Sequence, residues 1–210
     1  RLRIDGRDVT FEKNDALPKG RLTLVHVGVY QLSFEENDNE RQWFTLMGRV
    51  TDLESMGYSK NPGMMPVEDL RGLTKAKSLN LTPAAVDDAA FAHLSGLKNL
   101  ESLDVGGYGM KQFTGEGLGY ITENLQELST NSPTLTAKGL AYLPRFKKLR
   151  RLVLSGSSVT DAMLQGLAAL PELEELEVAD TKLDGSFLAF LPAKSKLKRL
   201  FLESVQSFKP

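Results

Sequence analysis

Apolar residues return along this chain at a fixed interval. The segments LESLDV, LRRLVL, LEELEV and LKRLFL begin at Leu100, Leu149, Leu173 and Leu197, and each is apolar at its first, fourth and sixth places. AKSLNL from Ala76 and LQELST from Leu125 fit with one substitution each, and LESMGY from Leu53 and VYQLSF from Val29 extend the frame backward. The eight starts are separated by 24, 23, 24, 25, 24, 24 and 24 residues. A period in this range is the mark of stacked repeats. Apolar positions two apart lie on one side of an extended segment. The frame therefore predicts strands near 32–34, 56–58, 79–81, 103–105, 128–130, 152–154, 176–178 and 200–202.

A second pattern follows about ten residues after most starts: VDDAAFAHL, FTGEGLGYI, LTAKGLAYL, VTDAMLQGL and LDGSFLAFL. Each has an apolar residue, a capping residue, and two further apolar positions at helical spacing, such as Leu164 and Leu167. Asp87, Thr114, Thr136, Thr160 and Asp184 are predicted to accept hydrogen bonds from free amides at helix N-termini. Pro144, Pro171 and Pro192 act as stop signals, and Gly96 serves the same end without a ring. Each unit is then one short strand and one short helix, neither able to bury its apolar side alone, so neighbours must stack. The expected architecture is a right-handed α/β solenoid with one parallel sheet on its concave face and short helices on the convex side.

These residues resemble the leucine-rich-repeat family, whose consensus is LxxLxLxxNxL, over about residues 29 to 210. The VTDAML-type second half is similar to the VTDxGL repeats common in large bacterial proteins. The resemblance implies a horseshoe that binds ligands more often than it catalyses. It also implies a ninth-place side chain that bonds backbone at each strand-to-loop corner, here Asn37, Asn61, Ala84, Tyr108, Pro133, Ser157 and Thr181. Ala84, Tyr108 and Pro133 depart from that pattern and predict looser corners, and GGYGMKQF after Val105 adds a bulge at the rim.

Residues 1–28 fall outside the period and are expected to form an irregular N-terminal cap on the single array of 29–210; LRI at Leu2–Ile4 resembles a repeat strand, and RLTLVHVGV suggests a capping strand or hairpin. The first residue, Arg1, follows no initiator Met and begins no signal-like stretch, which reads as a mature or trimmed start. The last frame stops at Pro210 without its helix, which reads either as a short cap or as part of a longer array.

Charge narrows the partner classes. Lys plus Arg number 26 and Asp plus Glu 27, a net of −1, so no global field draws in nucleic acid or anionic membrane. RFKKLRR at Arg145–Arg151 and KSKLKR at Lys194–Arg199 look basic in isolation. On adjacent strands, however, the third place reads Glu127, Arg151, Glu175, Arg199 and the second Arg150, Glu174, Lys198, changing sign at each step. With neighbouring strands about 4.8 Å apart, these predict cross-strand charge ladders and no nucleic-acid partner.

Catalytic and cofactor chemistry finds no foothold. There is no cysteine, which leaves the compartment open. No apolar run approaches the roughly 18 residues that span a bilayer, so no membrane insertion is expected of this segment. His26 and His93 lack partners at nearby spacing and are expected to face solvent. The glycines at 106, 107 and 109 and at 115, 117 and 119 lack the Lys-Ser or Lys-Thr of a phosphate loop, and EENDNE at Glu35–Glu40 lacks an EF-hand frame. The expectation is a protein that is not an enzyme and holds no cofactor or metal.

What remains is the concave face. At its central fifth place the series reads Ser33, Gly57, Asn80, Asp104, Ser129, Val153, Glu177 and Phe201. Phe201 beside arginine has the composition of a binding hot spot, unless it packs beneath a C-terminal cap. Asp104, Glu127, Ser129, Arg151, Val153, Glu175, Glu177, Arg199 and Phe201 are the candidate contact residues for a protein partner. The alternatives are glycan recognition by the Ser- and Asn-lined N-terminal half and a passive spacer within a larger surface protein.

Overall fold

The computed structural model describes residues 2–4, 7–9, 22–24, 54–57, 67–82, 86–106, 113–156, 158–193 and 195–203. Seven short strands stack in chain order, each parallel to its neighbours: β4 Ser55–Gly57, β5 Ser78–Asn80, β6 Ser102–Gly106, β7 Glu127–Asn131, β8 Arg151–Ser155, β9 Glu175–Ala179 and β10 Arg199–Glu203. The register advances by one repeat at each step, so Leu128, Leu152, Leu176 and Leu200 lie in one row. The sequence frame and the observed strands therefore coincide for all seven. The frame from Val29 falls outside the described residues, as do Ser33, His26, EENDNE, most of the glycine-rich insertion and the corner residues Asn37, Asn61, Ala84, Tyr108 and Ser157.

Alternation decides what each strand buries. Fourth- and sixth-place residues from Leu79 and Leu81 through Leu176 and Val178 are fully enclosed, including Thr130, which stands where its neighbours carry leucine or valine. First-place Leu100, Leu125 and Leu149 close the core from one side, and Val86, Phe113, Leu135, Val159 and Leu183 close it from the other. Phe91 and Phe113 stack between consecutive repeats with centroids 4.9 Å apart. One further contact recurs with every repeat. The second-place carbonyls of Glu54, Lys77, Glu101, Gln126, Arg150 and Glu174 each accept two N–H groups from the next strand, at 2.7 to 3.1 Å.

The convex segments differ in kind from the expected helices. Only Ala137–Leu140 is an α-helical turn among the segments that follow the capping residues; Ala89–Leu94, Glu116–Tyr120, Leu143–Arg145, Asp161–Ala169 and Ser186–Phe190 are 3-10 helices, as is Val67–Gly72. A 3-10 helix rises about 2.0 Å per residue against 1.5 Å for an α-helix. It covers the return path across the core with fewer residues, which a 24-residue unit requires. No helix among the described residues is long and apolar enough to cross a membrane.

Capping is shared between repeats. Asp87, Thr136 and Asp184 accept local amide bonds, from Ala90 at 2.8 Å, Gly139 at 3.1 Å and Ser186 at 2.9 Å, and Thr114 does so weakly from Glu116 at 3.5 Å. Thr160 makes no side-chain cap bond, contrary to expectation. The stronger caps come from Asp88 and Asp161, one residue on from the expected positions, and act on the following repeat. Asp88 accepts from Thr114 N and Oγ1 and from Gly117 N at 2.7 to 2.8 Å. Asp161 accepts from Asp184, Gly185 and Phe187 N at 2.9 to 3.1 Å. In both cases the equivalent residue of the receiving repeat is a glycine with positive φ, Gly115 at 91° and Gly185 at 99°. That conformation turns the N–H two residues on toward the carboxylate.

Corners follow a related logic. Pro133 is exposed, and Ser132 and Thr134 take over the corner by donating to the Phe113 carbonyl at 2.8 and 2.9 Å. Thr181 is buried at its corner, but its hydroxyl has no partner among the described residues. Leu2–Ile4 (β1), Arg7–Val9 (β2) and Leu22–Leu24 (β3) form a separate antiparallel sheet in the order β2-β1-β3. The likeness of LRI to a repeat strand therefore does not extend to its pairing: Leu2 lies opposite Val9 and Leu24.

Candidate functional site

The register places all nine candidate residues on neighbouring strands of one sheet face. The third-place row runs Ser55, Ser78, Ser102, Glu127, Arg151, Glu175, Arg199, and the fifth-place row Gly57, Asn80, Asp104, Ser129, Val153, Glu177, Phe201. The predicted third-row ladder is present from Arg151 to Arg199, while among the described residues no ion pair joins Glu127 to Arg151. Arg151 Nε donates to Glu175 Oε1 at 2.9 Å, Arg199 Nε donates to Glu175 Oε2 at 2.8 Å, and Arg199 Nη2 closes on the same oxygen. Arg151 also reaches Glu177 through Nη2 at 3.4 Å, while Glu127 accepts from the Ser102 hydroxyl at 3.1 Å. In the second row Arg150 binds Glu174 Oε1 through Nε and Nη2 at 3.0 and 2.7 Å, and Lys198 binds Oε2 at 2.9 Å.

The ladder is longer than the sequence reading made it. Lys77 pairs with Glu54 at 2.9 Å in the same second row, and Lys196 pairs with Glu172 at 2.8 Å along an outer row. Spacing alone, 23 or 24 residues between opposite charges, was the signal that could have found both. Gln126 is the neutral break between Glu101 and Arg150.

A recess of about 280 Å³ opens among Glu127, Arg150, Arg151, Glu174, Glu175 and Arg199. Three guanidinium groups face three carboxylates there, so the recess has no excess of positive charge to offer a polyanion. Lys198 and Arg150 on either side hold the Glu174 carboxyl at about 2. Arg151 and Arg199 likewise lower Glu175, and Glu175 raises Arg151 in return. A depressed folded-state carboxyl adds stability above its unfolded value and loses it as pH falls toward the folded value. The thermal midpoint should therefore drop more steeply between about pH 4.5 and 2 for the wild-type chain than for Glu174→Gln. Circular dichroism melts over that range check this, and parallel slopes would remove Glu174 from the account.

The fifth row differs. Asn80 Nδ2 donates to Asp104 Oδ2 at 3.1 Å, and Asn80 Oδ1 accepts from Thr82 N at 2.9 Å, so this end is a small polar strip. Ser129 and Glu177 are half-buried, and Val153, only 8% exposed, offers little surface to a partner. Phe201 is 49% exposed, and the C-terminal cap considered for it lies outside the described residues. His93 is exposed on the convex side, as expected.

No family model and no curated protein matches the chain. Solved structures do. Internalin C2 from Listeria monocytogenes is 27% identical over 75% of this chain and 65% of its own, with a TM-score of 0.56. The plant peptide hormone receptor RGFR1, in complex with RGF2, is 19% identical over 76% of this chain and 26% of its own, at 0.52. TLR13, in complex with ssRNA13, is 20% identical over 80% and 24%, at 0.58. The chain thus spans just under two thirds of internalin C2 and about a quarter of each receptor. All three are leucine-rich-repeat proteins. With a 24-residue frame, an open parallel sheet in one-repeat register and these structural likenesses, the chain has the leucine-rich-repeat solenoid fold.

Proposed function

We propose that the chain is a non-catalytic interaction module that receives a protein partner on its concave sheet. The observation that carries this is the division of labour between rows. Second- and third-row charges neutralise one another, whereas the fifth row leaves Asp104, Ser129, Glu177 and the exposed ring of Phe201 facing outward. Glu127, Arg151, Glu175 and Arg199 then act mainly by holding the strands and orienting the surface. An aromatic ring among polar groups suits the anchor-and-rim pattern of protein interfaces.

The receptor complexes with RGF2 and ssRNA13 mean that the fold by itself leaves the ligand class open, nucleic acid included. Charge favours protein here. RNA binding rests on uncompensated cations, and Arg150, Arg151, Lys198 and Arg199 each have a carboxylate partner. The fifth row has no cation among the described residues.

The test pairs the wild-type chain with an Asp104→Lys, Phe201→Ala variant, both verified as folded, in capture from extract of the source organism. Proteins retained by the wild type should be depleted at least tenfold by the variant. Titration with single-stranded RNA should give no saturable binding at physiological salt. Retention that ignores both substitutions, or tight RNA binding, overturns the reading.

A further inference from the structure

The third-row ladder is interrupted between β7 and β8, and the interruption leaves a space. Glu127 and Arg151 stand directly opposite each other, as Arg151 and Glu175 do on the next pair of strands. Arg151 turns to Glu175 and Glu177, whereas Glu127 turns the other way and accepts the Ser102 hydroxyl through Oε2 at 3.1 Å. Among the described residues, Glu127 Oε1 accepts no bond, and Arg150 and Arg151 each hold an Nη1 without an acceptor. The half-buried side chain of Gln126, beside Arg150 in the second row, bonds to no described residue either. All four residues line the recess of about 280 Å³. β7 and β8 are inner strands, paired on their far sides with β6 and β9, so the space is flanked by the sheet on both sides.

One wall of this space offers an unmet acceptor and the other offers unmet donors. Its charges balance, and that balance selects against ions of either sign. A carboxylate entering the recess would meet Glu127, Glu174 and Glu175, and a cation would meet three guanidinium groups. A neutral group with a donor and an acceptor side by side satisfies both walls. The primary carboxamide is such a group, with two N–H donors on nitrogen and two lone pairs on oxygen. Both of its bonds would be made to charged partners, which strengthens them. The volume lies below the roughly 300 to 1,000 Å³ of pockets that hold free small molecules, and it suits a single side chain.

We propose that the recess takes the side-chain carboxamide of a glutamine or asparagine presented by the protein partner. The carboxamide N–H faces Glu127 Oε1, and its oxygen faces the Nη1 groups of Arg150 and Arg151. Only the source of the carboxamide rests on the concave-face reading above; the chemistry of the recess stands apart from it.

The probe is N-acetyl-glutamine N-methylamide, beside its glutamate and lysine counterparts. Each is titrated into the isotope-labelled 210-residue chain and followed through the arginine Nε–H resonances, assigned with Arg150→Lys and Arg151→Lys variants. The glutamine probe should shift both resonances saturably, with a dissociation constant of about 1 to 10 mM, and the charged probes should bind roughly fivefold more weakly. Glu127→Ala should weaken the glutamine probe by about fivefold, and since Glu127 is exposed, melts should show the variant folded. Glu172→Ala, which removes a carboxylate outside the recess, should leave the affinity unchanged. No saturable shift with any probe, equal binding of all three, tightest binding of the lysine probe, or wild-type affinity in Glu127→Ala overturns the proposal. If the glutamine probe binds while capture from extract fails, the concave-face reading falls and the carboxamide site stands; the reverse result removes the carboxamide site alone.

Discussion

Gly139→Ala is expected to lower stability by about 2 kcal/mol, against the direction that helix propensity alone would give. Gly139 lies in the α-helical turn Ala137–Leu140, where alanine is favoured by about 1 kcal/mol. A Cβ there would stand 2.1 Å from the Thr114 carbonyl oxygen and 2.7 Å from Gly115 Cα. Thr114 O cannot retreat cheaply, because it accepts from Thr136 N at 3.0 Å and from Thr136 Oγ1 at 3.2 Å. Overpacking against backbone costs roughly 3 kcal/mol at this severity, so the clash wins over propensity. For a chain of this size the thermal midpoint should fall by roughly 4 to 8 °C. Gly96→Ala is the control, since nothing lies within 4 Å of its Cβ position. Thermal melts in which the two variants move the midpoint equally would show that the repeats do not depend on this close approach.

The legibility of this chain follows from its repetition. A period of 24 residues fixes strand spacing, register and inward face together, so every described strand from β4 to β10 lies where Leu53, Ala76, Leu100, Leu125, Leu149, Leu173 and Leu197 predict it. Charge alternation became legible by the same route: Arg151 and Glu175 are 24 residues apart, and that spacing is a contact only because the array stacks in register. What the pattern could not supply was local geometry. Apolar spacing of four then three suits α and 3-10 turns alike over so short a span, so the helix type was decided by the return distance across the core. Val153 was misleading for a related reason. Its place in the strand points to the open face, but flanking side chains of neighbouring repeats leave it 8% exposed.

The site residues divide along the same line. Leu200 and Phe201 are 38% and 49% exposed, whereas Leu176, in the same row as Leu200, is fully buried. A sequence frame treats each repeat as equivalent, so it does not separate the exposed residues of β10 from the enclosed ones of β9.

Asp161→Ala should cost roughly 2 to 3 kcal/mol, since it removes three charge-assisted bonds from backbone amides of the next repeat. One of them comes from Phe187, whose ring is fully buried, so the loss should loosen the packing of Ser186–Phe190 as well. Asp161→Asn should cost about half as much. Its carbonyl oxygen can take the place of Oδ1, which serves Gly185 and Phe187, but its amide would face the Asp184 N–H donor to donor. Denaturant unfolding of the two variants measures the ordering, and Asn as damaging as Ala would mean that charge rather than bond count sets the effect. The chain also contains the opposite case. Ala137 occupies the same place one repeat earlier, and the repeat it adjoins leaves Thr160 without a side-chain cap bond. Installing the carboxylate there by Ala137→Asp should gain nothing by itself, because its receiving position is Asp161, which does not adopt the positive φ of Gly115 and Gly185. The cap is a property of an aspartate and of the glycine one repeat beyond it, and neither residue makes it alone.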